Sequence, residues 1–381
     1  MSTTSTLRQR LYEHSLRVIL DNQTESGAFL ACPTMPDYQF SWFRDGAFIA
    51  YALTLDGDQV SRHYEGRMAA QWENVYRFHD WCAQTINARQ AHLRRAAAAA
   101  HKGRTPDMND ILNARYSAKS EIGPAGWPEF QLDGPGMWLW SLQAFIQHIG
   151  YAPLPAAWEQ AVINAADYLA ALWRTPCYDC WEERGEDVHI STLGAIFAGL
   201  QAAEALVPSL NYTETREAIR RYVQEHGLTP GGELAKSVGL DMVDANLLSV
   251  AVPHGLFAPD DPTMRRTVAR IERELHPTGS GVHRHLEDTY YGGGVWVLLA
   301  LWLGWYYAEV GERDKALALL EWAEAQADAD GNLPEQVNTV MLAPDGYQPW
   351  VEQRGTIANP LLWTHAKYII LCRKLNLVAN Q

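Results

Sequence analysis

The 381-residue chain is short of positive charge: 31 Lys and Arg stand against 45 Asp and Glu, a formal net charge of −14. That balance has the wrong sign for neutralising phosphates or an anionic membrane surface, so neither nucleic acid nor membrane is an expected partner. Cysteine is scarce. Cys32, Cys82, Cys177, Cys180 and Cys372 are odd in number and scattered, unlike the disulfide framework of a small secreted protein. Cys177 and Cys180 have CxxC spacing, but a zinc site needs two further ligands at comparable spacing and no βαβ pattern surrounds the pair, so no metal or cofactor is expected. No run of about 18 uncharged apolar residues is present, which excludes a spanning helix by sequence. The first twenty residues lack an apolar run ending in a small-residue cleavage site, so a cytoplasmic location is expected. Phenylalanine is also sparse, at 9 beside 15 Trp and 17 Tyr. Trp and Tyr join a flat apolar face to a polar edge, which suits a hydroxylated, ring-shaped ligand such as a sugar, although most such rings in any protein serve the core.

Strand-like alternation is nearly absent as well, whereas apolar residues recur at helical spacing in many segments. The expected helices cover about 5–22, 46–55, 58–88, 134–149, 155–174, 191–206, 212–226, 242–252, 262–275, 294–310, 312–329 and 359–376. GMWLWSLQAFIQHIG and GVWVLLALWLGWYYAEVG are apolar nearly all round, while REAIRRYVQEH and ERDKALALLEWAEAQA are amphipathic. Buried helices next to half-exposed ones imply two concentric layers. About six such pairs make an all-α (α/α)6 barrel, and with no linker or composition shift the whole of 1–381 reads as one domain. The locally basic stretch 88–120 is expected to be a solvated helix and loop over the barrel mouth.

Four loops carry more charge and aromatics than connectors need. In PDYQFSWFRDG (36–46), Tyr38, Trp42, Arg44 and Asp45 crowd a helix start. An Arg–Asp pair there either clamps neighbouring hydroxyls or caps the helix. The Gly/Pro-rich loop 126–135 displays Trp127, Gln131 and two carboxylates, and Tyr178 to Gly185 contains Trp181, Glu182 and Glu183. Two consecutive Glu beside a Trp fit either a solvated helix end or a carboxyl held against an indole, the arrangement that raises a pKa by desolvation and makes a usable general acid. GNLPEQ (331–336) supplies Glu335. Two Glu about 150 residues apart fit acid/base chemistry if folding brings them together.

These residues carry a resemblance. Tyr38 to Asp45, the WEE at 181–183, RHLEDTYYGGGVW at 284–296, PEQ at 334–336 and LLWTHA at 361–366 are similar to the ordered motif set of the glucoamylase family, glycoside hydrolase family 15. The resemblance implies an (α/α)6 barrel with the site at one mouth, and exo-acting hydrolysis of terminal α-glucosidic bonds with inversion, releasing β-glucose. It implies that Glu182 is the general acid and Glu335 the general base. Adjacency alone leaves Glu182 and Glu183 indistinguishable, and the resemblance makes Glu183 a substrate-binding carboxylate. Arg44 and Asp45 resemble the clamp on the terminal glucose, and Tyr38 the ring beside the oxocarbenium-like transition state. Trp42 belongs to the same motif, while Trp127, Gln131, Trp181, Arg284 and Trp363 resemble the remaining wall. Glu287 and Asp288 are expected to orient Arg284.

Secreted starch-degrading members carry leader sequences and starch-binding modules, and bacterial relatives often place a β-sandwich before the barrel. Here the first motif begins by residue 36. The expected partner is therefore a short oligosaccharide, with α-1,6 isomaltose-type linkage favoured over α-1,4 or trehalose. A sugar epimerase or isomerase on the same barrel would use paired His, with His254, His283, His285 and His365 as candidates. A non-catalytic sugar-binding protein is the third reading, and the presence of both Glu182 and Glu335 argues against it.

Overall fold

A computed structural model describes residues 3–57, 70–150, 153–277, 279 and 281–378. Fourteen α-helices are present among them, and twelve alternate strictly between an outer and an inner layer. The outer helices are α1 (Thr3–Asp21), α3 (Ala70–Ala88), α6 (Ala156–Leu172), α8 (Thr213–His226), α10 (Pro262–Leu275) and α12 (Arg313–Glu324). The inner helices are α2 (Phe43–Asp56), α5 (Asp133–Ile149), α7 (Ile190–Leu206), α9 (Leu248–Ala251), α11 (Val297–Glu309) and α14 (Leu362–Lys374). Contacts run α2 to α5, α5 to α7, α7 to α9, α9 to α11, α11 to α14 and α14 back to α2, which closes the ring. This is the (α/α)6 barrel that the patterning implied.

The two layers differ in burial as their sequences require. Every residue of α11 from Val297 to Tyr307 is buried, whereas α8 buries only Ile219 and Val223. One contiguous core runs from Leu11 to Leu375. Within it the Lys367 amine lies against the ring faces of Phe48 and Trp302, and burial pushes its pKa well below the usual range.

Several boundaries shift for local reasons. The expected helix 242–252 shortens to a 3-10 turn, Ala245–Leu247, followed by α9; Asp244 accepts the Asn246 N–H as a cap and Pro253 cannot continue the hydrogen bonding. The start of the expected helix 294–310 is instead β3 (Val295–Trp296), paired antiparallel with β4 (Gln336–Val337). Likewise β1 (Ser41–Trp42) pairs with β2 (Arg115–Tyr116) directly ahead of α2. The segment 58–69 of the expected helix 58–88 lies outside the described residues. The basic stretch is less solvated than expected: α4 (Gln90–Ala100) buries Leu93 and Ala96 and packs on α6, and the chain then turns inward to form β2.

Candidate active site

A cavity of about 360 Å³ opens at the barrel mouth, within the size range of small-molecule sites. Its wall comes from the segments that lead into inner helices and from the first turns of those helices: Tyr38 to Asp45 ahead of and within α2, Trp127 ahead of α5, Glu182 ahead of α7, Tyr290 ahead of α11, and Glu335 and Trp363 around the start of α14. Five inner helices thus direct their N-termini, the positive ends of their dipoles, toward one cluster of carboxylates.

The turn 179–183 separates the two consecutive glutamates. Glu182 adopts a left-handed backbone conformation, φ +69°, which sends its side chain away from that of its neighbour. Its Oε1 accepts three N–H groups: Trp127 Nε1 at 2.8 Å, Trp42 Nε1 at 2.9 Å and Gln131 Nε2 at 3.2 Å. The indoles of Trp42 and Trp127 thus meet this carboxyl as hydrogen-bond donors. Oε1 is thereby saturated as an acceptor. Glu183 is held quite differently, with Oε1 3.0 Å from Arg284 Nη2, and Oε2 2.8 Å from His285 Nε2 and 3.4 Å from Lys236 Nζ. Burial alone would raise its pKa, but Arg284, His285 and Lys236 prevail and hold it well below the usual carboxylate range. A carboxylate locked in the ionised form cannot donate a proton.

Glu335 is buried immediately ahead of β4, its backbone N–H bonded to the Ala358 carbonyl and its carbonyl accepting from Val297 N–H. Oε1 accepts from the Tyr38 hydroxyl at 3.3 Å, and Oε2 is buried with no hydrogen-bond partner. Burial raises its pKa to about 8, reinforced by Asp45 and Asp288 and opposed by Arg284 and the Tyr38 hydrogen bond. Burial also raises the Tyr38 phenol well above its ordinary value, so it stays a neutral hydroxyl, 3.0 Å from the Tyr290 hydroxyl.

Arg44 and Asp45 occupy the first turn of α2. Arg44 Nη1 donates to Gln131 Oε1 at 2.7 Å and Asp133 Oδ2 at 3.1 Å, while its Nε is buried without a hydrogen-bond partner, 3.6 Å from Asp45 Oδ2. Burial raises Asp45 to about 6, with Glu182 and Asp133 adding to it and Arg44 opposing. Opposite, the Arg284 guanidinium sits among Trp181, Trp296 and Tyr290 at 5.2 to 5.4 Å from the ring centroids and is anchored by Asp288. Trp363 lies on the Arg44 side, its ring stacked on Phe48 with centroids 5.5 Å apart.

The profile of glycosyl hydrolases family 15 matches residues 8–348. The chain belongs to this family. It is 38% identical over 380 residues to the isomaltose glucohydrolase of Kribbella flavida, covering 97% of this chain and 94% of that protein. A solved glycosidase variant in complex with glucose superposes with a TM-score of 0.91 at 37% identity, with full coverage of both chains. The glucoamylase of Saccharomycopsis fibuligera, at 15% identity and a TM-score of 0.71 over 97% of this chain and 95% of its own, shares the fold. This family 15 protein is accordingly a glycoside hydrolase, and among its described residues no helix is long and apolar enough to cross a membrane.

The sequence reading of this family 15 site needs correction at some positions. Gln131 does not line the cavity; it stands behind the wall and links Arg44 to Glu182. Asp288 orients Arg284, but Glu287 is exposed and faces Arg184 at 3.8 Å. None of His254, His283, His285 and His365 lines the cavity. His365 bridges Ser15 and the Leu333 N–H, and His283 faces the carbonyls of Gly293 and Gly294. Cys177 and Cys180 are free, buried thiols. The larger lining side chains that were missed are Tyr290, Trp296, Trp350 and Arg354. Tyr290 and Trp296 lay inside a quoted motif, and their place at a helix start was the available signal. Arg115 was missed too, hidden in the basic stretch; its guanidinium lies 3.7 Å from the Trp127 centroid and backs that ring.

Proposed function

We propose that residues 1–381 act as one barrel-shaped exo-α-glucosidase that removes the terminal glucose of short α-glucosides with inversion, preferring α-1,6 isomaltose-type linkages to α-1,4 or trehalose. The observation that carries this reading is the contrast between the two carboxyls facing one cavity: Glu182 with one oxygen saturated by donors, Glu335 with one buried oxygen unpartnered. Glu182 Oε2 gives its proton to the glycosidic oxygen as the C1–O bond breaks. A water on the opposite face bonds to C1 as Glu335 Oε2 takes its proton. Tyr38, between Glu335 and Tyr290, lies beside the developing positive charge. Arg44 and Asp45 hold the hydroxyls of the terminal glucose through the unpartnered Nε and the adjacent carboxylate. Arg284 and Glu183 line the side from which the leaving group departs.

The linkage preference draws on the relative named isomaltose glucohydrolase, and on α13 (Tyr347–Arg354), whose Trp350 and Arg354 line the cavity. The free thiols suit a reducing, cytoplasmic compartment. Glucose release from isomaltose, isomaltotriose, maltose, trehalose and soluble starch tests the reading. Isomaltose should have the highest kcat/KM, and Glu182→Gln and Glu335→Gln should each lower kcat by about 10²- to 10⁴-fold while still binding substrate. Unchanged turnover in either variant sinks the acid/base pair, and a preference for trehalose or starch sinks the substrate class.

A further inference from the structure

Beneath the cavity lies a lysine that the reaction does not touch. Lys236 precedes α9 in a segment pinned to the approach to α7: the Ile190 N–H bonds to its carbonyl, and the Val238 N–H bonds to the Val188 carbonyl. Its side chain is 1% exposed and Nζ lies 2.6 Å from Asp244 Oδ2 and 2.9 Å from Asp179 Oδ2, two carboxylates that are themselves fully buried. Both carboxylates also contact the turn that presents Glu182, and Asp244 Oδ1 in addition caps the 3-10 turn through the Asn246 N–H at 2.8 Å. Asp179 Oδ1 accepts the N–H groups of Trp181 and Glu183, each at 3.0 Å, the two residues flanking Glu182. Both oxygens of Asp244 accept Trp181 Nε1 at 3.0 Å. The Asp179 carbonyl takes the Glu182 N–H at 2.9 Å.

We propose that Lys236 is a positioning residue for the general acid: by sharing its ammonium between Asp179 and Asp244 it holds the 179–183 turn in the left-handed conformation that delivers Glu182 to the cavity.

The physical argument is one of charge and strain. A non-glycine residue at φ +69° persists only where its surroundings impose that conformation. Here the imposition comes through Asp179 and Asp244, which would repel one another and draw in water or protons if their common cation were removed. Glu183 adds a third carboxylate, 3.4 Å from Nζ, so the same cation also helps keep the neighbouring glutamate ionised and turned from the acid position. Burial opposes the charge on Lys236, but its three carboxylates keep its pKa above the ordinary value. The ammonium therefore stays charged across the range in which the enzyme can act.

This inference rests on the reading of Glu182 as the acid, and the test separates the two. α-Glucosyl fluoride needs no protonation of its leaving group: fluoride departs with the bonding pair, water bonds to C1 and its proton goes to Glu335. Lys236→Met should lower kcat on isomaltose by about 10²-fold, with KM little changed, yet keep activity on the fluoride within about tenfold of wild type. In a Glu182→Gln background, adding Lys236→Met should cost little more, because its effect passes through Glu182. Lys236→Arg, which keeps the charge, should recover part of the isomaltose activity. Asp244→Asn, which preserves shape, should reproduce the substrate split and serves if Lys236→Met does not fold. Equal losses on both substrates, or a full additional loss in the Glu182→Gln background, would overturn the positioning role. If Glu182→Gln alone loses equally on isomaltose and on the fluoride, it is the acid assignment that falls.

Discussion

At the scale of single residues, the two carboxyls are distinguished by partners more than by position in the chain. Sequence narrowed the candidates to Glu182, Glu183 and Glu335, but adjacency could not separate the first two. The ion pairs of Glu183 with Arg284 and Lys236 do so, and those partners lie 101 and 53 residues away along the chain. Electrostatics also raises a question about roles. Burial takes Glu335, the proposed base, to about 8, a value that by itself would suit an acid. A bell-shaped profile of kcat/KM cannot decide, because one protonated and one ionised carboxyl give the same curve whichever does which. Glu182→Gln acting on α-glucosyl fluoride leaves Glu335 alone in the pair. As a base it works when ionised, so the rate should rise as pH increases through about 8. A rate that stays level over that interval would show that Glu335 is not the base, because fluoride departure needs no acid.

At the scale of elements, α13 was not legible in the sequence. It has eight residues, none of them buried, so it carries no apolar stripe for periodicity to detect. Its position is set by Arg354, whose Nη1 lies 2.8 Å from Asp37 Oδ2 and whose guanidinium rests over Trp127 and Trp350 at 5.1 and 5.4 Å. Those contacts border the outer cavity, where the leaving sugar would lie. Arg354→Ala loses a partly exposed ion pair and two cation–π contacts, together about 1 kcal/mol. The expected result is a KM for isomaltose raised roughly fivefold, with kcat and inhibition by glucose nearly unchanged. An unaltered KM in steady-state assays would remove α13 from the leaving-group side. The two-residue strands β1 to β4 escaped notice for a related reason, since alternation needs at least four residues to be read.

At the scale of the whole molecule, the barrel was legible because burial is written into composition. A helix ringed by neighbours, such as α11, must be apolar all round, while one with a solvent face, such as α8, must not be. What the pattern could not show is the direction in which the inner helices point. Their N-termini meet at one mouth, so the loops that looked overloaded with charge and aromatics are those that enter the barrel there. This common polarity gathers residues from 31 to 363 into one cavity, with Glu182 arriving ahead of α7 and Glu335 ahead of β4. Inverting cleavage by that pair is the central claim, and the anomeric form of the first glucose released from isomaltose tests it most directly. Proton NMR during the initial turnovers, before mutarotation mixes the anomers, should show β-glucose appearing first; α-glucose appearing first would contradict the account.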